Sequence, residues 1–338
     1  MNRREFVQQV GRVSLGAMAA GLSTAPVCGG VGSGSSSNKP AGPAVSVCTP
    51  TIAPPQSLLT CRNWISFSPP SPFNPNQNVF PTDNQLITAL TQLSQEGWRG
   101  LVTYSLDGTL ADVPRIAKQA GFAQVIAGLF WFDAAQLSRE KAAAMTALQY
   151  IDAFVLGNEG LNAQPIPRYT RQELNDELAA LQASTGRPVT TSEPFGQYQS
   201  DHTLLNLGDW AFPNIHPWFA GIRVIPDAVS LVRTSYETLQ AWAPGRTIVV
   251  KESWWPTAGD PAATESNQVE FFKQLAASSV KFVWGEAYDQ FWKTEPDGQG
   301  PNWGFHKSDA TPKTIVSALQ GVYTGAYLRS RLVQVTSD

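Results

Sequence analysis

Charge is scarce in this chain. Lys, Arg, Asp and Glu together make up 15% of its 338 residues, and 24 basic side chains stand against 27 acidic ones. A formal charge of −3 offers no basic face to a phosphate backbone, so nucleic acid is not an expected partner. Histidine is limited to His202, His216 and His306, and cysteine to Cys28, Cys48 and Cys61. None of these histidines lies at ligand spacing from a cysteine, which argues against a zinc site. No Gly-x-Gly-x-x-Gly turn follows any strand-like run, and no cofactor or metal is implied. The weakly apolar stretch Val13 to Leu22 falls short of the roughly 20 residues a membrane span requires. Aromatic rings, by contrast, are plentiful: 11 Trp, 16 Phe and 8 Tyr exceed what a core of this size needs, so some are expected to line a cleft.

The first residues carry a twin arginine, Arg3-Arg4, ahead of that short apolar segment. Residues 1–30 read as a twin-arginine export signal, which places the mature chain in the periplasm or outside the cell. Residues 31–55 are rich in Gly, Ser and Pro and read as a linker, leaving 56–330 as the folded domain. In an oxidising compartment Cys48 and Cys61 can close a short loop. Cys28 is then left over; its Gly-Gly and Ser-rich continuation resembles a lipoprotein start, while Pro26 and Val27 suit that reading poorly. Membrane contact is expected only if Cys28 is lipidated, and the chain is expected to act as a monomer.

Beyond the linker, strand-like and helix-like stretches alternate. Strands are expected at 63–68, 100–105, 124–132, 151–159, 188–193, 210–216, 247–252 and 280–287. Helices are expected from Asp83 to Gly97, around Val113 to Ala117, at 134–148, after Thr170, and at 227–242 and 265–277. Thr170 to Glu173 forms a capping box, and a last helix is expected at 312–323 with Thr311 as cap and Pro312 in its first turn. Eight strand and helix units over about 260 residues predict an α/β fold of the (β/α)8 TIM-barrel type. An open doubly wound sheet ranks lower, because acids and aromatics gather at strand C-terminal ends, where a barrel keeps its site.

Seven acids fall at strand ends: Asp107, Asp133, Glu159, Glu193, Glu252, Glu286 and Asp289. Taken singly, each is more simply explained as a helix cap, an ion-pair member or a solvated residue. Two runs are distinctive. Ile151 to Glu159 and Ile248 to Glu252 are apolar strands that each deliver a carboxylate, and Pro256 stops the second soon after. Carboxylates from the fourth and seventh strands would face each other across a barrel mouth, one able to give a proton while the other attacks.

Four stretches resemble glycoside hydrolase family 17, the β-1,3-glucanase family: Val155 to Glu159, Asn214 to Phe219, Glu252 to Gly259, and Gly285 to Lys293. They occur in the family's order over residues 60 to 325. The resemblance implies a retaining β-glucanase acting on a β-glucan polysaccharide or oligosaccharide, with Glu159 as acid/base and Glu252 as nucleophile. Burial and the charge of Glu252 should raise the Glu159 carboxyl. Asn158 is expected to bond the sugar hydroxyl beside the reacting carbon or to serve as a turn residue. His216 would orient a carboxylate, bind sugar, or be a satisfied buried histidine. Trp218, Trp254, Trp255, Tyr288, Trp292 and Trp303 are candidate stacking platforms or core rings, and Tyr104 is counted among the substrate-facing residues. Glu286, Asp289 and Lys293 form a charged network below the sugar or contact its hydroxyls. The chain departs from the family pattern at Trp254, where glycine is usual, at Phe67, where tyrosine is common, and mildly at Ser253 and Thr257. Two other readings stay open: a β-glucan transglycosylase in which a sugar hydroxyl intercepts the intermediate, and a noncatalytic glucan-binding protein.

Overall fold

The computed structural model describes residues 63–163, 165–294 and 298–319. The export signal, the linker, Cys28 and the Cys48–Cys61 pair lie outside the described residues.

Five parallel strands lie side by side in chain order: β1 (Trp64–Ser66), β2 (Gly100–Val102), β3 (Gln124–Leu129), β4 (Ala153–Leu156) and β5 (Val189–Thr190). Three further segments, six (209–214), seven (248–252) and eight (282–284), complete the circle through single bridges instead of long ladders. Segment six joins β5 where the Asp209 amide donates to the Val189 carbonyl at 2.7 Å. Segment seven joins segment six through Ala211–Ile248 and Asn214–Glu252, segment eight joins seven through Val250–Phe282, and Trp284 returns to Ile65. Part of the irregularity has a local cause, since Pro213 has no amide to donate. The circle nevertheless closes, and the fold is the expected eight-segment α/β barrel.

Helices cover its outside: α1 (Asp83–Gln95), α2 (Val113–Ala120), α3 (Ala134–Ala147), α4 (Arg171–Thr185), α5 (Phe195–Ser200), α6 (Ile225–Trp242) and α7 (Glu265–Ala277). The capping box of α4 is formed: Thr170 accepts from the Glu173 amide at 3.2 Å, and Glu173 accepts from the Thr170 amide at 2.7 Å. Leu174, Leu178 and Leu181 turn inward from it. The last helix starts later than its sequence suggests. Pro312 bridges His306, and helix begins at Thr314, so Thr311 is no cap; residues 320–323 lie outside the described set.

Two apolar layers follow from strand alternation. Trp64, Val102, Ile126, Ala153, Val155, Trp210, Phe212, Val249 and Val283 fill the barrel interior, while Ile65, Leu101, Val125, Phe154, Val250 and Trp284 pack outward against the helices. Gly100 is required by this filling: a Cβ there would meet the Trp64 indole at 2.2 Å. In segment seven the alternation puts Val249 inward and Val250 outward, so Lys251 points inward above the apolar plug. Glu252 follows at the rim.

Candidate active site

The chain turns sharply where β4 ends. Gly157 and Glu159 both have positive φ, 73° and 54°, a conformation costly for the side-chain-bearing Glu159. The surroundings hold it there. The Glu159 amide donates to the Ser192 carbonyl at 2.8 Å, and Arg168 donates to the carbonyls of Asn158 and Glu159 at 2.9 and 3.0 Å. Beneath the turn, the fully buried Glu193 accepts from the Tyr169 hydroxyl at 3.0 Å and from the Gly160 amide at 3.2 Å.

Burial pushes the Glu193 carboxyl up to about 8, against the opposing hydrogen bond from Tyr169. A carboxyl raised by folding contributes stability below its unfolded value, and that contribution is lost as pH rises through the folded one. Thermal stability should therefore decline as pH rises toward and through about 8. Glu193→Gln keeps an acceptor for Tyr169 and Gly160 without the ionisation. Its melting temperature should fall less than the wild type's over that interval; equal slopes would remove Glu193 as the cause.

Glu159 and Glu252 meet at the barrel mouth. One side-chain oxygen of Glu159, one of Glu252 and a ring nitrogen of His216 all fall within 4.8 Å of one another. Asn214 ties the pair to the scaffold: it donates to Glu159 Oε1 at 2.8 Å and accepts from Ser192 Oγ at 2.9 Å. Glu252 is 3% exposed; its Oε1 accepts from Lys251 Nζ at 2.6 Å, and its Oε2 lies 3.4 Å from His216 Nε2. The Lys251 ammonium also donates to Asn158 Oδ1 at 2.8 Å and sits 4.2 Å above the Tyr104 ring. The positive charge that such a cluster of acids calls for is thus supplied by the chain itself.

The two acids differ in environment. Glu159 is partly exposed as a residue, but its carboxyl end is enclosed; burial first and the Glu252 charge second raise it above the ordinary range. Burial would raise Glu252 too, but Lys251 and His216 outweigh it and hold that carboxyl well below the ordinary range. The pair can therefore be one protonated acid beside one carboxylate across a wide pH interval.

A cavity of about 170 Å³ opens beside Glu252. Tyr104, Asn158, Glu252, Trp254, Glu286, Trp292 and Lys293 line it, together with Phe67, Phe73, Phe80, Phe130 and Phe132. Lys293 donates to both oxygens of Glu286 at 2.8 and 3.0 Å; burial nonetheless raises Glu286 to about 7. Trp254 stands edge-on to His216 with ring centres 5.6 Å apart. Its indole fills the space above Gly285, where a Cβ would come within 2.7 Å of the indole nitrogen.

Several sequence candidates lie elsewhere. Trp255 and Tyr288 are fully buried, and neither lines the cavity. Trp255 donates to the Ala262 carbonyl and stacks on Phe271, while the Tyr288 hydroxyl donates to the Ala89 carbonyl. Trp218 is sandwiched behind the wall, with Arg223 3.7 Å above its ring and Trp255 edge-on to it. Trp303, 3% exposed, packs against Phe219. These four are wall-packing rings and not open platforms. Asp289 accepts its hydrogen bond from Lys313 at 2.7 Å and reaches Glu286 and Lys293 only through their charges. The sequence reading assigned no role to Lys251 or Asn214, although an inward lysine directly before a strand-end acid was a usable signal. The Phe130 and Phe132 side of the cavity was also missed, because that stretch reads as core strand.

A closed barrel with paired, oppositely tuned carboxylates at its C-terminal mouth is the architecture of a glycosidase. The chain belongs to the BtgE/BtgC glycoside hydrolase domain family, whose model matches residues 66–304. It is 26% identical over 237 residues to the probable β-glucosidase btgE of Aspergillus fumigatus, covering 65% of this chain and 41% of that protein. A putative glucan endo-1,3-β-glucosidase, btgC of Aspergillus niger, is 25% identical over 138 residues, 34% of this chain and 20% of its own length. The chain thus spans well under half the length of these curated relatives. Among solved structures, the family 17 β-1,3-glucanosyltransferase of Rhizomucor miehei superposes with a TM-score of 0.63 at 17% identity, over 75% of this chain and 96% of its own. The β-1,3-glucanase CJP38 of Cryptomeria japonica pollen gives 0.56 at 14% identity, over 74% and 97%. These likenesses establish the shared barrel fold.

Proposed function

We propose that the protein is an exported glycosidase that cleaves β-1,3-glucan or a related β-glucan with retention, through a covalent bond between the sugar and Glu252. The observation that carries this reading is the spacing of the pair: oxygens of Glu159 and Glu252 approach within 4.8 Å. Inverting enzymes hold their carboxyl groups about 6.5 to 9.5 Å apart to seat a water between acid and sugar, whereas retaining ones sit at about 5 to 5.5 Å. The tuning fits the roles. Glu252, kept ionised beside Lys251, attacks the anomeric carbon; Glu159, raised by burial, protonates the leaving oxygen and then serves as base for the incoming water.

The cavity gives the substrate a direction. It is lined by Glu252 and not by Glu159, so the sugar that becomes attached lies in the aromatic cavity, while the leaving portion departs past Glu159. Asn158, with Oδ1 engaged by Lys251, can turn its Nδ2 donor toward the bound sugar. The Glu286 and Lys293 pair supplies polar partners at the cavity wall, and Trp254 and Trp292 supply apolar faces. The twin arginine and the tether behind it support export, with lipidation of Cys28 as its membrane-bound form.

Incubation with laminarin-type oligosaccharides tests the reading, with the anomer of the fresh reducing end followed by NMR. Shorter products with β configuration at first appearance are expected. Products longer than the substrate would replace hydrolysis by glucanosyl transfer, α products would overturn retention, and binding without products would leave a noncatalytic glucan receptor.

A further inference from the structure

Lys251 keeps Glu252 ionised before attack, but once Glu252 is esterified that task ends while the buried ammonium stays. Lys251 is 1% exposed, at an inward position of segment seven, with the apolar interior plug below it and the acid pair above. Its ammonium makes two hydrogen bonds, to Glu252 Oε1 at 2.6 Å and Asn158 Oδ1 at 2.8 Å, and faces the Tyr104 ring. A lysine so enclosed costs several kcal/mol in lost hydration unless a countercharge offsets it. A purely packing role would be met by an uncharged chain of the same length.

Charge accounting over the proposed reaction gives the ammonium a role in both halves. In the first half a Glu252 oxygen bonds the anomeric carbon, the bond to the leaving oxygen breaks, and the Glu159 proton moves to that oxygen. In the second, a water oxygen bonds the anomeric carbon, its proton passes to Glu159, and the ester bond returns its electron pair to Glu252. The pair carries one negative charge throughout, located on Glu252 in the free enzyme and on Glu159 in the glycosyl-enzyme. Lys251 is linked to both positions: directly to Glu252, and to Glu159 through Asn158 Oδ1 and Asn214, whose Nδ2 lies 3.4 Å from Asn158 Oδ1 and 2.8 Å from Glu159 Oε1.

We propose that Lys251 is a positioning residue that stands as the fixed positive charge of the reaction, facing the Glu252 carboxylate before glycosyl transfer and the Glu159 carboxylate after it. This rests on the covalent reading above. With Oε1 held by the ammonium, Oε2, 3.4 Å from His216, is the less restrained oxygen and the one presented for attack. The other titratable or charged groups facing the cluster are Tyr104, His216, Glu286 with its partner Lys293, and, beneath the Glu159 turn, Glu193 and Arg168.

The experiment begins with the wild-type protein and an activated 2-fluoroglucoside, which arrests a covalent intermediate. Absence of a label on Glu252 means that the covalent reading has failed on its own account. With the label present, Lys251→Met and Lys251→Arg are compared by pH profile. Lys251→Met should move the acidic limb of kcat/KM up by about one pH unit or more, as removal of an opposite charge in contact requires. It should also lengthen the life of the labelled intermediate at least about tenfold, within the range general-base assistance supplies, so that kcat on aryl glucosides falls more than kcat/KM. Lys251→Arg should return the acidic limb toward the wild-type position. A folded Lys251→Met with an unmoved limb and unchanged label turnover would overturn the proposal. Should Lys251→Met not fold, the side-chain nitrogen of Lys251 is read by NMR in the wild-type protein, free and labelled. It must remain an ammonium in both, and a neutral amine in the labelled enzyme refutes the standing charge.

Discussion

Glu252→Ala is expected to lower turnover of β-glucan by at least about 10⁴-fold, the scale on which an enzyme loses rate when its nucleophile is removed. The variant should also lose stability, because Lys251 keeps its buried charge without the Glu252 countercharge, so turnover is read on protein shown to be folded by circular dichroism. Added azide can enter the space the carboxylate leaves and attack the anomeric carbon of an activated aryl glucoside from the vacated side. The product should be the α-glycosyl azide, inverted relative to the substrate. Mass spectrometry and NMR of the azide adduct check both points. Full activity in the variant, or an azide product of β configuration, would move the nucleophile elsewhere.

Glu159→Ala is expected to behave differently in each of these respects. On natural glucan the leaving alkoxide needs a proton, and turnover should fall about 10²- to 10⁴-fold, the usual weight of general acid catalysis. On aryl glucosides with good leaving groups the first step should persist, and azide should intercept the intermediate to give the β-azide. The pH profile carries a second signature. Wild-type activity should rise as Glu252 ionises and decline as Glu159, raised by burial and by Glu252, loses its proton. The declining limb should vanish in Glu159→Ala on aryl substrates. If both variants answered alike to azide and to leaving group, the two roles would have to be withdrawn together.

Much of the barrel was legible because its signals are local. The Thr170 to Glu173 box needs only four residues to satisfy two backbone donors, and it opens α4 where expected. The runs Ile151 to Glu159 and Ile248 to Glu252 end in acids because a strand buried on both faces is apolar until it reaches the rim. The start of the last helix was misread for the same reason. Thr311-Pro312 looks locally like a cap and first turn, but Pro312 is drawn into a bridge with His306 and Lys313 reaches Asp289 and Thr257.

The aromatic candidates show where local reading ends. Trp254 and Trp255 are neighbours in sequence, yet one lines the cavity and the other stacks on Phe271. Nothing in Trp-Trp-Pro says which ring turns inward, because after a strand ends the period-two alternation no longer applies.

By itself, the sequence determined the alternation of strands and helices, the barrel class and the polar rim. These depend on hydrophobic period, caps and turn residues, each confined to a few neighbouring positions. Only the tertiary structure decided which acids share a site, which rings face the cavity, and that Lys251 lies between Asn158 and Glu252. Asn158 and Lys251 are 93 positions apart in the chain. They meet because β4 and segment seven stand across a closed barrel, and that closure arises from pairing all eight segments at once, a condition no local pattern contains.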